Sequence, residues 1–573
     1  MWFLFSHPLV LAGLVTVANG LKPVVVDDTA YLLYAQHIAV CPRDPYGFTI
    51  FWYTWPQPAF EVLAPPVYLY WLAGGWWLFG DHVALLKVWT WPWLVLLAYS
   101  LRGLLRQVAS AAAGWMLPLL LFSPAVLPAV NLMLDIPAYA LGSAALCLWG
   151  GLVQRSLPLA QTIVRTVLVG LLLGLAAQTK YSLLTFFPVL LLWGVLQRRW
   201  GITVAAVVTA SAVFWAWEAY CLWQYGASHF WYHVQAQRQH GSFLDQLWAK
   251  LELVGPLCGY WGCLGAAIAW LTVWRLGIPS PVVRCLVGMW LGGMALVGLL
   301  PERYLVLPDG SSLVALFWQG AGVVALITAA TAVLLQAVLL QSTPGGNAPT
   351  SVGKHAVFLL LWWLIELAGY FLLTPFGAAR RLIGLTLVSH LAVGRLYDRI
   401  VPESMAAGSG VPRHAPPGWL VAASMSVGIT VATIDVLDAY PEKWCVEQAA
   451  RVLRSWLNDQ PETVWFAGHW GFQHYAQRQG WQPLVPQESR VCPGQFVVLP
   501  VHPDADHFYR PHVGSRPIVL PAGGYETLAE IVWDDPLAAQ TIPNYYGGML
   551  PLIGRNHPRL RVLVAQMRTD WQP

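Results

Sequence analysis

Long apolar runs separated by short polar stretches dominate the first 440 residues. A run of about 18 to 25 apolar residues is the length that crosses a bilayer as a helix. Thirteen such segments occur: 2–21, 83–104, 111–130, 132–152, 163–178, 181–197, 202–221, 253–274, 284–301, 313–340, 356–374, 381–397 and 418–438. The pattern predicts a multi-pass α-helical membrane protein with about 13 transmembrane helices. The first segment lacks a basic n-region, so we expect an uncleaved helix rather than a signal peptide.

The pattern changes after residue 440. A helical stretch at 446–457 and short β-like runs at 463–466, 495–499 and 517–520 are separated by turn residues. These features predict a C-terminal soluble α+β domain, at 439–573. The transmembrane domain would then occupy residues 1–438.

Composition supports the membrane interpretation. The chain is 57% hydrophobic and only 10% charged, whereas an ordinary soluble domain carries about 25% charged residues. Its 33 Trp and 22 Tyr suit belts at the membrane interface. A net charge of +4 over this length gives no basis for nucleic-acid binding. The sequence therefore indicates an integral membrane protein.

Cysteines and phosphate-binding motifs narrow the function. The eight Cys include no CxxC pair, so neither a metal cage nor a redox motif is indicated. Cys445 and Cys492 are candidates for a disulfide if the C-terminal domain lies outside the cell. No GxxxxGK[ST] motif occurs, which excludes an ATP-driven machine of the P-loop type.

The distribution of charges predicts the orientation, because Lys and Arg are retained in short cytoplasmic loops. A cytoplasmic N-terminus places most basic residues in cytoplasmic turns, together with the Gly/Ser/Pro-rich loops 341–353 and 402–417. Nearly all acidic residues before the last span then face outward. Thirteen spans from this start also place the C-terminal domain outside.

Two adjacent carboxylates, Asp27 and Asp28, open an outer loop at 22–82. This loop is too long for a simple connection, so we expect it to contain interfacial helices. Ionisable groups beside a bilayer are costly and are commonly functional. On a helix the two side chains point about 100° apart, so only one faces a cavity while the other is placed to cap the helix.

Four more patterns fall on the same outer face. They are Pro65-Pro66-Val67-Tyr68, Leu134-Asp135-Ile136-Pro137, Gln178-Thr179-Lys180-Tyr181 and Arg380-Arg381-Leu382. Together with Asp27-Asp28-Thr29-Ala30-Tyr31, their order resembles the bacterial GT-C glycosyltransferases. Within these, it is similar to the family of protein O-mannosyltransferases and lipid A aminoarabinose transferases, glycosyltransferase family 39. This family usually has Asp-Glu where this chain has Asp27-Asp28, and Arg-Tyr where it has Arg381-Leu382.

The resemblance implies an enzyme of the bacterial inner membrane. It would move a sugar from a polyprenyl-phosphate donor to a lipid, glycan or protein acceptor on the outward face, usually with inversion. No cofactor is implied, and a metal requirement is left open. Such a reaction needs a general base for the acceptor and fixed positive charge for the leaving phosphate.

The resemblance assigns these roles to particular residues. Asp27 matches the base, and Asp28 is a second catalytic carboxylate or a helix cap. The expected phosphate-binding cations are Lys180, Arg381 and Arg380. The expected acceptor-binding or positioning residues are Asp135 and Tyr31, and also Glu61, which is selected by its position beside the Pro65-Pro66 segment rather than by the resemblance.

Simpler interpretations stand beside these roles. Asp135 is also ordinary chemistry for a helix start, and Lys180 could be a lysine that reaches the interface. Glu61 and His82 could be plain loop charges. His229 and His233 share a helix face and are candidate metal ligands, as are His469 and His474 more weakly.

Two other functions remain open on the sequence. A secondary transporter would suit the many apolar spans, but we find no internal repeat, and the charges gather at one face. A ligase or polymerase acting on lipid-linked glycans would share the cations but lack the early acidic pair.

Overall fold

The computed structural model describes residues 7–252, 257–261, 350–400, 418–457, 462–501, 518–533, 541 and 560–573, except 54, 63, 156, 239–242, 258 and 375. The chain is mostly helical in these ranges. The helices α1 to α16 are, in order, Pro8–Leu21, Asp28–Val40, Pro66–Phe79, Val83–Trp89, Trp91–Val108, Ala113–Leu121, Asp135–Val153, Leu159–Ala177, Phe186–Leu196, Trp200–Tyr225, His229–Arg238, Phe243–Glu252, Thr350–Leu373, Ile383–Ile400, Gly418–Leu457 and Trp470–Arg478.

Six helical stretches in the described ranges are long and apolar enough to cross a membrane. They are Val83–Val108, Asp135–Val153, Leu159–Ala177, Trp200–Tyr225, Gly353–Leu373 and Gly418–Leu457. Pro8–Leu21 and Tyr181–Leu196 are shorter apolar stretches. The protein is therefore an integral membrane protein. Of the predicted spans, 284–301 and 313–340 lie outside the described residues, as does nearly all of 253–274.

The predicted span at 111–130 differs in the structure. Helix α6 ends at Leu121, and a short 3₁₀ turn follows at Leu127–Ala129. Proline lacks a backbone N–H and clashes with the preceding turn of a helix, and this segment contains Pro118, Pro124 and Pro128. Residues 115–130 are all buried, so their apolar character reflects packing inside the protein rather than contact with lipid.

Residues 22–82 form a folded unit beside the helical bundle. Helices α2 and α3 pack against each other. Between them lies an antiparallel hairpin of strands β1 (Thr49–Trp52) and β2 (Trp55–Pro58), followed by a 3₁₀ turn at Ala59–Glu61. The Tyr34 hydroxyl donates a hydrogen bond to the carbonyl of Ala59. This bond links the chain after the hairpin to α2. Residues of α2 and of the hairpin form part of one cavity wall.

The C-terminal region contains a five-stranded sheet in the order β4-β3-β5-β7-β6. Its strands are Val464–Phe466, Gln482–Pro483, Phe496–Val501, Tyr525–Trp533 and Leu560–Met567 for β3 to β7. Strand β3 runs parallel to β4 and β5, whereas β7 is antiparallel to β5 and β6. One face packs on α16 and the end of α15. Residues 518–520, expected to be a strand, are irregular.

Helix α15 joins the two parts of the chain. It runs for 40 residues from Gly418 to Leu457, so the predicted last span and the predicted helix at 446–457 are one element. The predicted disulfide is wrong, since Cys445 and Cys492 are both free. Cys445 is buried under the sheet, while Cys492 is exposed. Their different environments explain why they do not pair.

Candidate active site

A cavity of about 690 Å³ lies where the loop carrying Asp27 meets α7, α11, α13 and the turn before α14. Its charged and polar lining comes from widely separated parts of the sequence. The polar and aromatic members are Asp27, Tyr31, Trp52, Tyr53, Asp135, Lys180, Tyr181, Ser182, Phe230, His233, Gln246, Phe376, Arg380 and Arg381. The structure therefore brings Asp27, Tyr31, Asp135, Lys180, Arg380 and Arg381, all predicted site residues, to one cavity.

Asp27 occupies the position just before helix α2. Its Oδ2 accepts a hydrogen bond of 2.8 Å from Nη1 of Arg380, which lies in a 3₁₀ turn at Ala379–Leu382. Burial works against the charge of Arg380, but Asp27 and Asp135 outweigh it and raise its pKa. The Asp27 side chain keeps 23% of its surface exposed. Arg380 thus fixes the orientation of the Asp27 carboxylate, and a ligand in the cavity can still contact that carboxylate.

Lys180 forms the second ion pair of the cavity. Its Nζ donates a hydrogen bond to Oδ1 of Asp135, which begins helix α7. Burial, together with the nearby guanidinium groups of Arg380 and Arg381, lowers the pKa of Lys180 to about 8, although the Asp135 carboxylate acts in the opposite direction. The lysine side chain is 17% exposed and the Asp135 side chain only 1%. Lys180 is therefore the partner that a ligand in the cavity can contact.

Arg381 differs from its neighbour Arg380. Its guanidinium carbon lies 4.4 Å from the centroid of the Phe376 ring, a cation–π contact. No carboxylate pairs with it among the residues that the structure describes. Burial lowers its pKa to about 10, helped by the charge of Arg380, so the group is cationic at neutral pH. It is available to bind an anion.

Tyr31 lies one helical turn after Asp27 and is buried. Burial raises its pKa, and the charge of Asp27 raises it further. The phenol therefore stays protonated at neutral pH. It is placed in the cavity wall as a hydrogen-bond donor beside the carboxylate.

The structure does not bring Asp28 or Glu61 into the cavity. The Asp28 carboxylate is fully buried on the other side of α2, where Oδ2 accepts hydrogen bonds from Nδ2 of Asn131 and from the backbone N–H of Val25. Burial raises its pKa, opposed by Lys87 and Lys22. Glu61 ends the 3₁₀ turn after β2, where it is exposed.

A histidine network borders the cavity. The sequence indicates its two histidines, His229 and His233, only as candidate metal ligands. Nε2 of His233 lies 3.2 Å from Nε2 of His229, whose Nδ1 lies 2.6 Å from the Tyr181 hydroxyl. That hydroxyl also donates to Oε1 of Glu218 at 3.2 Å. Burial lowers the pKa of His233 to about 4, so it is neutral at physiological pH. No group of three or more His, Cys, Asp or Glu residues suited to a metal occurs in the described ranges.

Trp52 and Tyr53 were also missed. They lie at the tip of the β1–β2 hairpin and line the cavity. The aromatic run Phe51-Trp52-Tyr53 offered a signal, but aromatic residues are common at membrane interfaces. Composition alone could not separate these two residues from the others.

Comparisons with known proteins give structural similarity without sequence similarity. No protein family model matches the chain. No curated protein matches it in sequence. Among solved structures, it is similar to the Archaeoglobus fulgidus oligosaccharyltransferase tethered to an acceptor peptide, with 12% identity and a TM-score of 0.45 over 83% of this chain. The chain spans 63% of the length of that protein.

Two further structures have lipid phosphates bound. ArnT from Cupriavidus metallidurans bound to undecaprenyl phosphate is 16% identical, with a TM-score of 0.40 over 85% of this chain and 91% of its own. AglB from Archaeoglobus fulgidus, in complex with an inhibitory peptide and a dolichol-phosphate, is 13% identical, with a TM-score of 0.43 over 83% of this chain and 63% of its own. At such scores, the function has to be argued from the residues of the cavity.

Proposed function

We propose that this protein is a GT-C membrane glycosyltransferase. It transfers a sugar from a polyprenyl-phosphate-linked donor to a lipid, glycan or protein acceptor. The reaction takes place on the extracytoplasmic face, in a bacterial inner membrane. Asp27 is the general base, and Lys180 and Arg381 bind the donor phosphate.

One observation carries this proposal: the cavity combines an accessible carboxylate with a surplus of cations. Among its described lining residues, Lys180, Arg380 and Arg381 face two carboxylates, Asp27 and Asp135. A positive surplus at low dielectric favours an anionic ligand. Arginine offers phosphate a bidentate fork and lysine a point charge, so Arg381 and Lys180 are complementary ligands for one phosphate.

The chemistry follows from this arrangement. The acceptor hydroxyl or amine loses its proton to Asp27 as its oxygen or nitrogen bonds to the anomeric carbon of the donor sugar. The bond from that carbon to the phosphate oxygen breaks, and the electron pair leaves with the polyprenyl phosphate. Lys180 and Arg381 stabilise the charge that develops on the departing oxygen.

In this proposal Arg380 orients the general base, Asp27, and does not bind the leaving phosphate. It binds Oδ2 of Asp27, and in the described part of the chain no hydrogen bond to Oδ1 is seen. One carboxylate oxygen is thus fixed, and the other is left for the acceptor proton. Holding a reacting group in one orientation is a large part of catalysis.

The size and lining of the cavity suit the donor. About 690 Å³ lies within the ordinary range for pockets that bind small ligands. Leu184, Leu372, Leu373 and Phe376 form apolar parts of its wall. These side chains suit the first isoprene units of a lipid whose phosphate lies between Lys180 and Arg381.

The first experiment compares two Asp→Asn variants of the same outer region. Cells that lack the gene would receive the wild-type chain, Asp27→Asn or Asp81→Asn, and their glycolipids and glycoproteins would be analysed by mass spectrometry. We expect Asp27→Asn to remove the sugar modification, because general bases contribute about 10²- to 10⁴-fold. Asp81 is an exposed surface residue paired with Arg478, so its variant should behave as wild type.

Binding of undecaprenyl phosphate separates the two proposed roles. In detergent, the lipid should raise the melting temperature of the wild type and of Asp27→Asn, but not of the double variant Lys180→Met/Arg381→Gln. Normal modification by Asp27→Asn would overturn the role of Asp27 as base. Ion-coupled uptake of a solute into vesicles, with no change in glycans, would instead support a transporter.

A further inference from the structure

The C-terminal region contacts the loop that carries Asp27. The contact is made by the start of α16 and the residue before it, His469–Tyr475, which we call the positioning segment. It touches both sides of Asp27 and the hairpin that forms the cavity wall. The sequence predicts no role for the C-terminal region. These contacts indicate one.

The chain on both sides of Asp27 is bonded to the positioning segment. Before it, the backbone N–H of Val24 donates a 2.9 Å hydrogen bond to the Tyr475 hydroxyl. After it, Oγ1 of Thr29 donates a 2.7 Å hydrogen bond to the Trp470 carbonyl. Two bonds that enclose the four residues 25–28 leave the intervening backbone little freedom.

The segment before Asp27 and the positioning segment approach each other so closely that the contact requires glycine at position 471. A Cβ atom on Gly471 would lie 2.5 Å from the carbonyl oxygen of Val24 and 2.5 Å from Oε2 of Glu442. Real Cβ atoms are not found this close to other atoms, so even alanine at position 471 would force one of the two segments to move. The backbone that leads into Asp27 is therefore in direct contact with the C-terminal region.

The hairpin wall of the cavity is bound to the same segment. The backbone N–H of Tyr53 donates a 3.3 Å hydrogen bond to Nδ1 of His469. Nε2 of Gln473 donates a 2.8 Å hydrogen bond to the Phe51 carbonyl. The ring of Trp52 packs edge-on against His469, with centroids 4.4 Å apart. One element thus holds two walls of the cavity.

Backbone strain is concentrated at this junction. Val26, Tyr53 and Trp470 all have positive φ angles, of 50°, 60° and 56°, which disfavours residues other than glycine and above all a β-branched residue such as Val26. Such conformations persist only where the surrounding structure imposes them. Val26 directly precedes Asp27, Tyr53 lines the cavity, and Trp470 lies in the segment that bonds to Thr29.

We propose that His469–Tyr475 is a positioning segment for the glycosyl transfer: it holds Asp27 and the Trp52–Tyr53 wall in the geometry the reaction needs. This inference rests on the proposed function for its effect on catalysis. The mechanical part, that the C-terminal region orders the Asp27 loop, stands apart from the reaction. None of these residues needs to touch the donor.

Hydrogen–deuterium exchange of the full-length protein in detergent tests the mechanical part. In Gly471→Ala and Tyr475→Phe, peptides covering residues 22–33 should exchange about tenfold faster or more, because local opening exposes backbone amides. Arg478→Ala is the matched control on the same helix, since it removes a surface contact to Asp81 and should leave this exchange unchanged. Unchanged exchange in Tyr475→Phe, which removes a single hydroxyl, would overturn the inference even if Gly471→Ala fails to fold.

Turnover tests the catalytic part, using Thr29 from the other side of the contact. Thr29→Ala should lower the turnover number about tenfold or more, with a change in KM for the donor of less than about twofold, because misplacement of a reacting group is costly. Thr29→Ser retains the hydroxyl and should restore turnover. Equal activity of the two variants would overturn the catalytic role. Absence of transfer by the wild type would refute the proposed function and leave the exchange result to be judged alone.

Discussion

Asp27 and Asp28 are neighbours in sequence but belong to two different charged clusters. Asp27 faces the cavity with Arg380, Arg381, Asp135 and Lys180. Asp28 faces a buried cluster behind the loop, where Lys22 pairs with Asp435, Lys87 donates to the Lys22 carbonyl, and Asn131 donates to Asp28.

The two clusters differ in balance and exposure. Among the described residues, the cavity has three cations and two carboxylates, and Asp27 and Lys180 keep exposed surface. The buried cluster contains the ammonium groups of Lys22 and Lys87 and the carboxyl groups of Asp28 and Asp435, of which Lys22 and Asp435 form an ion pair, and all four residues are at most 4% exposed. A buried cluster with equal numbers of cations and carboxylates needs no further ion. An exposed cluster with more cations than carboxylates favours the binding of an anion. This contrast separates the cluster that builds the fold from the one proposed to bind substrate.

The buried cluster should break when one partner is removed. Lys22→Met leaves the Asp435 carboxylate without its ammonium partner, and loss of one side of a buried pair costs about 3–5 kcal/mol. The double variant Lys22→Met/Asp435→Leu should recover most of this loss, because two apolar side chains can replace a buried pair. Thermal unfolding in detergent measures both.

The control for this experiment is the exposed pair Arg478–Asp81. Arg478→Ala should change the unfolding free energy by less than about 1 kcal/mol, as is usual for surface ion pairs. Equal effects of Lys22→Met and Arg478→Ala would mean that the buried cluster has no special structural role.

The cavity cluster should respond through binding. Arg381→Gln removes a cation that has no carboxylate partner within the described ranges, so the fold should tolerate it. Its loss should weaken undecaprenyl phosphate binding by about 1.5–3 kcal/mol, the usual contribution of a charged hydrogen bond. Titration of the lipid against the protein measures this. Arg381→Lys should restore part of the affinity, and a wild-type affinity for Arg381→Gln would remove Arg381 from the phosphate site.

Binding should also depend on pH through Lys180. Its pKa is lowered to about 8, first by burial and then by the two arginines, so the ammonium is present below that pH and lost above it. Affinity for the lipid phosphate should therefore fall by up to about tenfold as pH rises from 7 to 9. Lys180→Arg stays charged throughout, so its affinity should be flat over this range. A pH dependence that persists in Lys180→Arg would assign the titration to another group.

The smallest effect is expected for Asp28→Asn. Burial raises the pKa of Asp28, which favours the neutral form, and an amide retains the shape and can still accept from Asn131. Sugar transfer should change by less than about threefold, against about 100-fold or more for Asp27→Asn. Transfer assays on the two variants compare the neighbouring aspartates directly. Similar losses would mean that Asp28 also takes part in the reaction.

Much of the fold class was accessible from the sequence. Apolar runs of spanning length predicted helices that the structure contains, such as Leu159–Ala177 and Trp200–Tyr225. The same rule was wrong at 111–130, because an apolar run in a buried proline-rich segment has the composition of a span without the continuous helix. Hydropathy measures how apolar a residue is, not whether lipid or protein surrounds it.

The site was partly accessible as well. Short motifs selected Asp27, Tyr31, Asp135, Lys180, Arg380 and Arg381, all of which line one cavity. They also selected Asp28 and Glu61, which do not line it, and they missed Trp52 and Tyr53, while His233 was indicated only as a candidate metal ligand. Motifs record residue types in order, but the direction of each side chain depends on the helix turn or hairpin that carries it.

The sequence by itself determined that this chain is a helical membrane protein with acidic and basic motifs at widely separated positions, because hydropathy and charge are properties of single residues and their neighbours. Only the tertiary structure decided that Asp27, rather than Asp28, faces the cavity, and that Arg380 binds Asp27 while Arg381 has no carboxylate partner among the described residues. Asp27 and Arg380 are 353 residues apart. Their contact depends on how the Asp27 loop packs against the turn before α14, which no local pattern encodes.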